Sequence, residues 1–448
     1  MARTIFAPAT APGRAGIAVV RVSGTAAAAA CRALTGKAPP PARRASLRRV
    51  VDPASGETLD DALVLWFAAP ASETGEDVLE LQLHGSPAVV AGVIEALARV
   101  PDCRLAEPGE FARRAFHNGK LDLTAVEGLA DLIAAETAAQ RRQAVRQMQG
   151  ELGRLYEGWR GALVRLLAHL EAEIDFSDED LPIDLGARAR DAIAPLIDAL
   201  TGHLAQGRAG ERLRAGLSVA IVGAPNVGKS SLMNALARRD VAIVSARAGT
   251  TRDVIEVHLD LGGLPVALAD TAGLRDSADE IEREGVRRAL ARTADADIKL
   301  VVLDATAWPR IEPAVRAQID ERAIVVLNKI DEATGANRAA ALPTAIEGQP
   351  LLALSALTGA GIDALIAALA ARAASLLAVG GDPVPTRARH RLALEETRSA
   401  LERARAARLA ELVVEDVRLA VRAIGRITGR VDVEDVLDVI FREFCIGK

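Results

Sequence analysis

A glycine-rich stretch in the middle of the chain has the residue types and spacing of a phosphate-binding loop. The pattern G-x-x-x-x-G-K-[ST] is matched by Gly223, Gly228, Lys229 and Ser230. In such a loop, glycines let backbone N–H groups close around a β-phosphate, the lysine reaches the β- and γ-phosphate oxygens, and the serine holds Mg²⁺. An ordinary glycine-rich turn is the alternative. Phosphate binding is favoured because a helical pattern follows the loop, and the dipole at a helix N-terminus attracts anions.

Three later motifs identify the nucleotide. Each follows an apolar strand pattern, and they are Asp270-Thr271-Ala272-Gly273, Asn328-Lys329-Ile330-Asp331 and Ser355-Ala356-Leu357. Asp270 offers a carboxylate toward Mg²⁺, and Gly273 offers an N–H toward the γ-phosphate. The Asp331 carboxylate can accept hydrogen bonds from the N1–H and the exocyclic amine of guanine, which adenine cannot supply in that arrangement. Four motifs in this order predict a GTPase.

The predicted GTP contacts extend over all four motifs and the switch I loop, 246–253. They are Asn226, Val227, Gly228, Lys229, Ser230, Ser231, Ser245, Thr250, Thr251, Asp270, Thr271, Ala272, Gly273, Asn328, Lys329, Asp331, Ser355 and Ala356. We expect Thr251 to complete the Mg²⁺ coordination with Ser230, and Lys229 to act in catalysis.

The group that positions the attacking water is not in its usual place. Ras-like enzymes use a glutamine directly after D-x-x-G, and Leu274 stands there. Because an apolar side chain cannot orient water, the polar group must come from elsewhere, and acidic residues crowd the following segment, 276–284. Arg252 and Arg275 are the local candidates for an arginine finger.

The periodicity of the chain predicts the elements that carry these motifs. Strand and helix patterns alternate over 214–375, which is typical of an α/β P-loop GTPase domain with a doubly wound, mostly parallel sheet. Residues 1–118 have a mixed α+β pattern, in which 39–49 is expected to be a proline- and arginine-rich loop. Helical spacing dominates 119–213 and 376–448. We therefore predict a multidomain protein in which the GTPase domain is inserted into a discontinuous all-α helical domain.

The acidic segment 171–184 is interpreted as an inter-helix loop, with a metal site as the alternative.

Composition limits the class of protein. A net charge of −5 argues against a uniformly basic nucleic-acid surface, and the 50% hydrophobic content is ample for packed cores. Three scattered cysteines predict neither a disulfide framework nor a zinc site, and no apolar run is long enough for a membrane helix. With no signal-peptide pattern at the start, the expected location is cytoplasmic.

Lysine is rare in this chain and marks positions of interest. Of 55 basic residues, six are lysines. Where a chain so rich in arginine keeps a lysine, chemistry that a planar guanidinium cannot copy is a reasonable hypothesis. Nucleotide binding accounts for Lys229 and Lys329, whereas Lys120 and Lys448 remain as candidates for another site.

Segments outside the nucleotide motifs resemble the MnmE family, also called TrmE, of tRNA-modifying GTPases. The similar segments are 10–24 (TAPGRAGIAVVRVSG), 74–80 (TGEDVLE), 108–111 (PGEF), 118–123 (NGKLDL) and the terminal 444–448 (FCIGK). The resemblance covers the whole length. Its small departures include Ala15, where glycine is usual.

The resemblance implies a fold, partners and a reaction. Residues 1–118 would form a tetrahydrofolate-binding-like domain that also makes the homodimer. With the flavoprotein MnmG (GidA), the family adds an aminomethyl or carboxymethylaminomethyl group to carbon 5 of the wobble uridine of tRNA. The one-carbon unit comes from 5-formyl- or 5,10-methylene-tetrahydrofolate.

By motif match, the folate contacts would be Arg21, Glu80, Lys120 and Lys448. Cations suit the carboxylates of the folate glutamate tail, and a carboxylate suits the amidine-like edge of the pterin. Without the resemblance, an ion pair on a sheet surface is the first interpretation of Arg21 and Glu80.

The resemblance also implies that Glu282 positions the water and that potassium replaces an arginine finger. Asn226, Ser245, Arg247 and Thr250 would hold the potassium. Phosphate binding needs no amide side chain at position 226, although a hydrogen bond that braces the loop is an alternative. Two other functions remain open, a ribosome-assembly GTPase and a regulatory switch without catalytic purpose.

Overall fold

The computed structural model describes residues 3–175, 191–239, 241–243, 256–270, 293–333, 342–378, 383–431, and 437, 440, 441, 444 and 447. Two compact units contain them. One comprises 1–130, 145–197 and 393–448, and the other comprises 131–144 and 198–392. These units do not coincide with the three predicted domains, whose boundaries stay a prediction.

The N-terminal part of the first unit is a six-stranded sheet in the order β3-β4-β5-β2-β1-β6. The strands are β1 (Thr4–Pro8), β2 (Ala15–Ser23), β3 (Ser46–Val51), β4 (Thr58–Phe67), β5 (Val78–Gly85) and β6 (Cys103–Leu105). All neighbours are antiparallel except β1 and β6. Helices α1 (Ala27–Thr35) and α2 (Pro87–Ala98) bury their apolar residues against one face of this sheet. The predicted α+β character is confirmed.

One loop prediction was wrong in part. The proline- and arginine-rich segment 39–49 was expected to be a loop, but Arg48 and Arg49 lie in β3. This strand is at the edge of the sheet, where charged side chains are tolerated because one side of the strand remains open to solvent. Leu47 and Val50 are separated by two consecutive arginines, so the segment has no alternation that would indicate a strand.

Helices fill most of the described part of 119–213, as its spacing predicts, and one further helix precedes this range. They are α3 (Glu110–His117), α4 (Leu123–Ala134), α5 (Ala138–Met148), α6 (Glu151–Asp175), α7 (Ile193–Ala205) and α8 (Gly207–Ala215). Helices α5 and α6 are separate, because Gly150 adopts a left-handed φ of 80° between them. Since α6 continues to Asp175, the first part of the acidic segment 171–184 is helical rather than a loop. The rest of that segment, 176–184, lies outside the described residues.

The second unit contains a seven-stranded sheet in the order β12-β13-β11-β10-β7-β9-β8. Its strands are β7 (Leu217–Val222), β8 (Glu256–Leu261), β9 (Leu264–Asp270), β10 (Ile298–Asp304), β11 (Ala323–Asn328), β12 (Ala345–Ile346) and β13 (Gln349–Ala353). Five of the strands run parallel, and β8 and β12 are antiparallel to their neighbours.

Helices cover both faces of this sheet. They include α9 (Lys229–Ala237), α10 (Pro313–Arg316) and α11 (Ile362–Leu376). Alternate residues of β10 belong to two separate apolar cores, with Leu300 and Val302 on one side and Val301 and Leu303 on the other. A strand buried on both faces gives the continuous apolar run seen in the sequence. The predicted doubly wound, mostly parallel fold is confirmed.

Two long helices follow, α12 (Ala388–Ala406) and α13 (Ala410–Thr428). In the first unit α13 packs along α6 and buries a stripe with helical spacing, formed by Val413, Val417, Ala420, Ile424 and Ile427. Further along, Phe441 and Phe444 are buried with Leu123 and Val126 in one cluster. These two phenylalanines therefore pack on α4.

Candidate functional site

The phosphate-binding motif lies at the carboxyl end of β7, an interior strand of the second sheet. β7 leads into the loop 223–228, and α9 begins at Lys229. β7 has β9 on one side and β10 on the other, so the order of the chain reverses between β7 and β10. Ligands of open α/β sheets bind in the crevice at such a switch point.

Two glycines of this loop have no room for a side chain. A Cβ at Gly228 would lie 2.3 Å from Nδ2 of Asn328, and one at Gly223 would lie 2.4 Å from the Val302 carbonyl oxygen. Gly228 also has a left-handed φ of 94° as the N-cap of α9. The loop is therefore packed against the neighbouring strands β10 and β11 at the two glycines, and the glycine spacing follows from these two close approaches.

Asn328 connects three of the motifs. Its side chain is buried, and its Nδ2 donates to the Val227 carbonyl oxygen over 2.9 Å. Its Oδ1 accepts a hydrogen bond of 2.9 Å from the Ala356 backbone N–H. Ser355 beside it is buried too, and its Oγ accepts from the Thr358 N–H at 3.1 Å. The phosphate loop and the two base-recognition motifs are thus held together through one amide.

Lys329 and Asp331 flank the predicted position of the base. Lys329 has a left-handed φ of 64°, and its ammonium lies 2.7 Å from Oδ2 of Asp304. Burial alone would raise the pKa of Asp304, but hydrogen bonds from Lys329 and Thr306, with the lysine charge, lower it overall. The Asp331 side chain is exposed and is therefore open to a ligand.

The remaining described residues of the loop surround the N-terminus of α9. The Lys229 ammonium donates to the carbonyl oxygens of Gly223 and Ala224, at 2.9 and 2.8 Å, so it lies across the loop. Ser230 and Ser231 are exposed in the first turn of α9. Asn226 is exposed with a left-handed φ of 61°, a conformation that asparagine tolerates better than most residues. This backbone requirement is a further reason for asparagine at that position.

Several predicted site residues lie outside the described part of the chain. They are Ser245, Arg247, Thr250, Thr251, Thr271, Ala272, Gly273 and Glu282, with Arg252, Leu274 and Arg275. Asp270 ends β9, where its backbone is paired with Ile221 of β7. The strand pairing therefore brings the start of the third motif next to the strand that carries the phosphate loop.

In the first unit, two of the four predicted folate residues, Glu80 and Lys120, line a cavity of about 540 Å³. Its lining is Arg43, Phe67, Ala71, Ser72, Glu73, Val78, Glu80 and Lys120. Arg21 and Glu80 are opposite each other on β2 and β5, and the Arg21 Nε donates to Glu80 Oε1 at 3.0 Å. The same guanidinium is 2.6 Å from Glu73. The sheet ion pair considered as an alternative is thus present, and its carboxylates, Glu80 and Glu73, line the cavity.

Lys120 also lines this cavity. Its ammonium donates to the Pro70 carbonyl oxygen at 3.0 Å. Lys448 lies outside the described residues, but a Cβ at Gly447 would lie only 2.0 Å from the Pro8 carbonyl oxygen. The end of the chain therefore packs against β1, and β1 pairs with the strand that carries Arg21.

Sequence reasoning missed six lining residues, among them Arg43, Phe67 and Glu73. The Arg43 guanidinium lies 5.7 Å from the centre of the Phe67 ring, which is within cation–π distance. A signal for Glu73 was available, because it precedes the segment 74–80 that carries the family resemblance. Arg43 had none, since its role depends on β4 passing beside the loop.

Comparison with known proteins gives matches over the whole chain. A family model described as the MnmE helical domain matches residues 123–445, and one described as the GTP-binding protein TrmE N-terminus matches 4–120. A tRNA modification GTPase MnmE of Paramagnetospirillum magneticum is 58% identical over 448 residues, 100% of both chains. One from Rhodospirillum rubrum is 57% identical over 99% of both chains.

Among solved structures, the G domain of the T. maritima iron transporter FeoB is 25% identical. That match covers 36% of this chain and 98% of the other, with a TM-score of 0.26. None of the helices in the described ranges is both long and apolar enough to cross a membrane.

Proposed function

Because the chain belongs to the MnmE (TrmE) family of tRNA modification GTPases, we propose that it hydrolyses GTP to drive modification of the wobble uridine of tRNA. In this proposal the chain forms a homodimer and works with the flavoprotein MnmG. Together they add an aminomethyl or carboxymethylaminomethyl group to carbon 5 of the base. The observation that carries the proposal is that Asn328 ties the phosphate loop to both base-recognition motifs, in a chain 58% identical to such an enzyme over its full length.

The proposed GTP chemistry follows from the loop. Backbone N–H groups of 226–231 would surround the β-phosphate, where the α9 dipole favours negative charge. The Lys229 ammonium, now across the loop carbonyls, would turn to the β- and γ-phosphate oxygens. Ser230 and Thr251 would hold Mg²⁺, which neutralises phosphate charge, and Glu282 would orient the attacking water.

A potassium ion is proposed in place of an arginine finger. Asn226, with Ser245, Arg247 and Thr250, would hold it near the phosphates. The exposed side chain of Asn226 beside the phosphate loop fits this role, because its amide oxygen can reach a ligand without first leaving a packed position. Such a cation offsets the charge that develops in phosphoryl transfer, an effect worth about 10³-fold or more in related enzymes.

Turnover in potassium and in sodium at equal ionic strength tests this part of the proposal. The native protein should be faster in potassium, and Asn226→Ala should lose that difference. Asn226→Gly is the matched control, because it removes the amide while keeping the left-handed φ of 61° accessible. Equal native rates in both salts, or variants that retain potassium activation, would contradict the potassium site.

A tetrahydrofolate is proposed to occupy the cavity in the first unit. Glu80 would accept hydrogen bonds from the pterin edge, while Arg21, Lys120 and Lys448 would face the carboxylates of the glutamate tail. The cavity fits in chemistry, because its lining contains a carboxylate, Glu80, a cation, Lys120, and the aromatic ring of Phe67. Calorimetry with 5-formyl-tetrahydrofolate should show weaker binding for Lys120→Ala and for deletion of 445–448, with unchanged nucleotide affinity. Unchanged folate affinity in both would contradict the assignment.

A further inference from the structure

An ion pair joins the two loops that follow β10 and β11. Asp304 ends β10 and lies opposite Asn328, the last residue of β11. The Lys329 ammonium reaches across to Asp304 Oδ2 at 2.7 Å. None of the four nucleotide motifs includes Asp304, yet it contacts one of their lysines directly.

The Asp304 carboxylate is held in a fixed direction. Its other oxygen, Oδ1, accepts hydrogen bonds from the Thr306 N–H at 2.8 Å and the Thr306 hydroxyl at 2.7 Å. Its side chain is 15% exposed, and that of Lys329 is 26% exposed. Because Thr306 donates two hydrogen bonds to this carboxylate, the turn that follows β10 determines the orientation of the Asp304 side chain. That orientation would not change if the Lys329 side chain moved.

The backbone around Lys329 is held from both sides. Lys329 has a left-handed φ of 64°, which non-glycine residues adopt at a cost and keep only where the surroundings determine it. Before it, Asn328 is fixed by its bonds to Val227 and Ala356. After it, the Ile330 N–H donates to the Leu354 carbonyl oxygen at 3.3 Å. The remaining freedom is in the lysine side chain, and Asp304 restricts it.

We propose that Asp304 is a positioning residue for guanine-nucleotide binding, acting through Lys329. It fixes the lysine side chain along the rim of the site, so that the base finds a preformed surface beside the Asp331 carboxylate. Asp304 itself touches no nucleotide. This inference rests on the proposed contacts of Lys329 and Asp331 with the base.

The same strand carries a matched control. Near its other end, the Lys299 ammonium lies 2.8 Å from Asp320 Oδ2. The two pairs have the same chemistry and similar lengths, and hydrogen bonds from the lysine lower the pKa of Asp320 against the effect of burial, as they do for Asp304. Since β10 is parallel to β7, the Lys299 end is the one remote from the phosphate loop. Asp320→Asn therefore reports what losing such a pair does to stability alone.

The test is a double-mutant cycle on the full-length protein with Asp304→Asn, Lys329→Gln and their combination, each assayed for GTP turnover. We expect Asp304→Asn to raise KM for GTP about tenfold and to leave kcat within about twofold. In the Lys329→Gln background the same change should raise KM less than twofold, because the group it positions is gone. Asp320→Asn should lower the unfolding temperature and leave KM unchanged.

The outcomes separate the inference from the function on which it rests. If Lys329→Gln raises KM but Asp304→Asn does not, the positioning role is wrong while the base contact stands. Equal effects of Asp304→Asn with and without Lys329 would also contradict it, because they would indicate an action on some other group. If Lys329→Gln leaves KM unchanged, the proposed lysine contact fails and the inference fails with it.

Discussion

At the scale of single residues, Asp331 should decide which base is bound. Its exposed carboxylate accepts from the N1–H and amine of guanine in the proposed complex. In Asp331→Asn an amide donor would face those donors, so GTP affinity should fall by about 100-fold and xanthosine triphosphate should be preferred. Competition binding with both nucleotides measures the change. The neighbouring exposed Glu332 provides the control, since Glu332→Gln should keep the native ratio.

Glu110 in the first unit should contribute to the dependence of stability on pH. Burial would raise its pKa, but hydrogen bonds from Arg104, the Glu107 N–H and Arg114 lower it below the ordinary value. A folded-state pKa below the unfolded one stabilises the native state above the unfolded pKa, and this contribution disappears as pH falls through the folded pKa. Urea unfolding should therefore show Glu110→Gln less stable than the native protein at pH 7 and nearly equal near pH 3. A difference that stays constant with pH would contradict the shift.

At the scale of elements, the phosphate loop depends on close packing as well as on a glycine conformation. Gly228→Ala introduces a Cβ that collides with Asn328, whereas Gly262→Ala has a similar positive φ and open space around it. The alanine at 262 should cost roughly 1 kcal/mol of stability and leave GTP binding intact. The alanine at 228 should abolish measurable GTP binding. Similar binding in both variants would show that packing against Asn328 is unimportant.

The elements also show what the sequence could predict. Strands such as β7 and β11 are buried on both faces, so their continuous apolar runs identify them, and the motifs that follow them can be located directly. β3 was missed because an edge strand can carry arginines. Pairing across the sheet could not be predicted either. The Asp304–Lys329 contact, for instance, depends on β10 and β11 being neighbours in register.

The cavity in the first unit illustrates the same limit. Glu80 and Lys120 were identified from local motifs, but 540 Å³ of space between them arises from the way β4 and β5 meet the loop 70–73. Arg43 enters this cavity from a segment with no motif of its own. Site residues that belong to a short sequence motif can be predicted from the sequence. Site residues that only the fold places beside the cavity cannot.

At the scale of the whole molecule, Asp131 joins the segments that precede and follow the GTPase sheet. Its Oδ1 accepts from Arg214 Nε at 2.9 Å and from Arg387 at 2.8 Å, within the second unit. The two arginines are far apart in sequence, and the chain between them forms the seven-stranded sheet. Asp131→Ala should lower the free energy of unfolding by about 2 kcal/mol, because two arginines lose a buried acceptor. Thermal unfolding checks this, with the exposed Asp295→Ala as the control that should change little.

The central claim is that GTP hydrolysis by this chain serves wobble-uridine modification. Mass spectrometry of tRNA nucleosides tests it most directly, in a strain lacking the protein and in the same strain expressing either the native chain or Lys229→Ala. The modified wobble uridine should be absent without the protein, restored by the native chain, and not restored by Lys229→Ala. Unchanged wobble nucleosides in the strain without the protein would contradict the claim, and full restoration by Lys229→Ala would remove GTP hydrolysis from it.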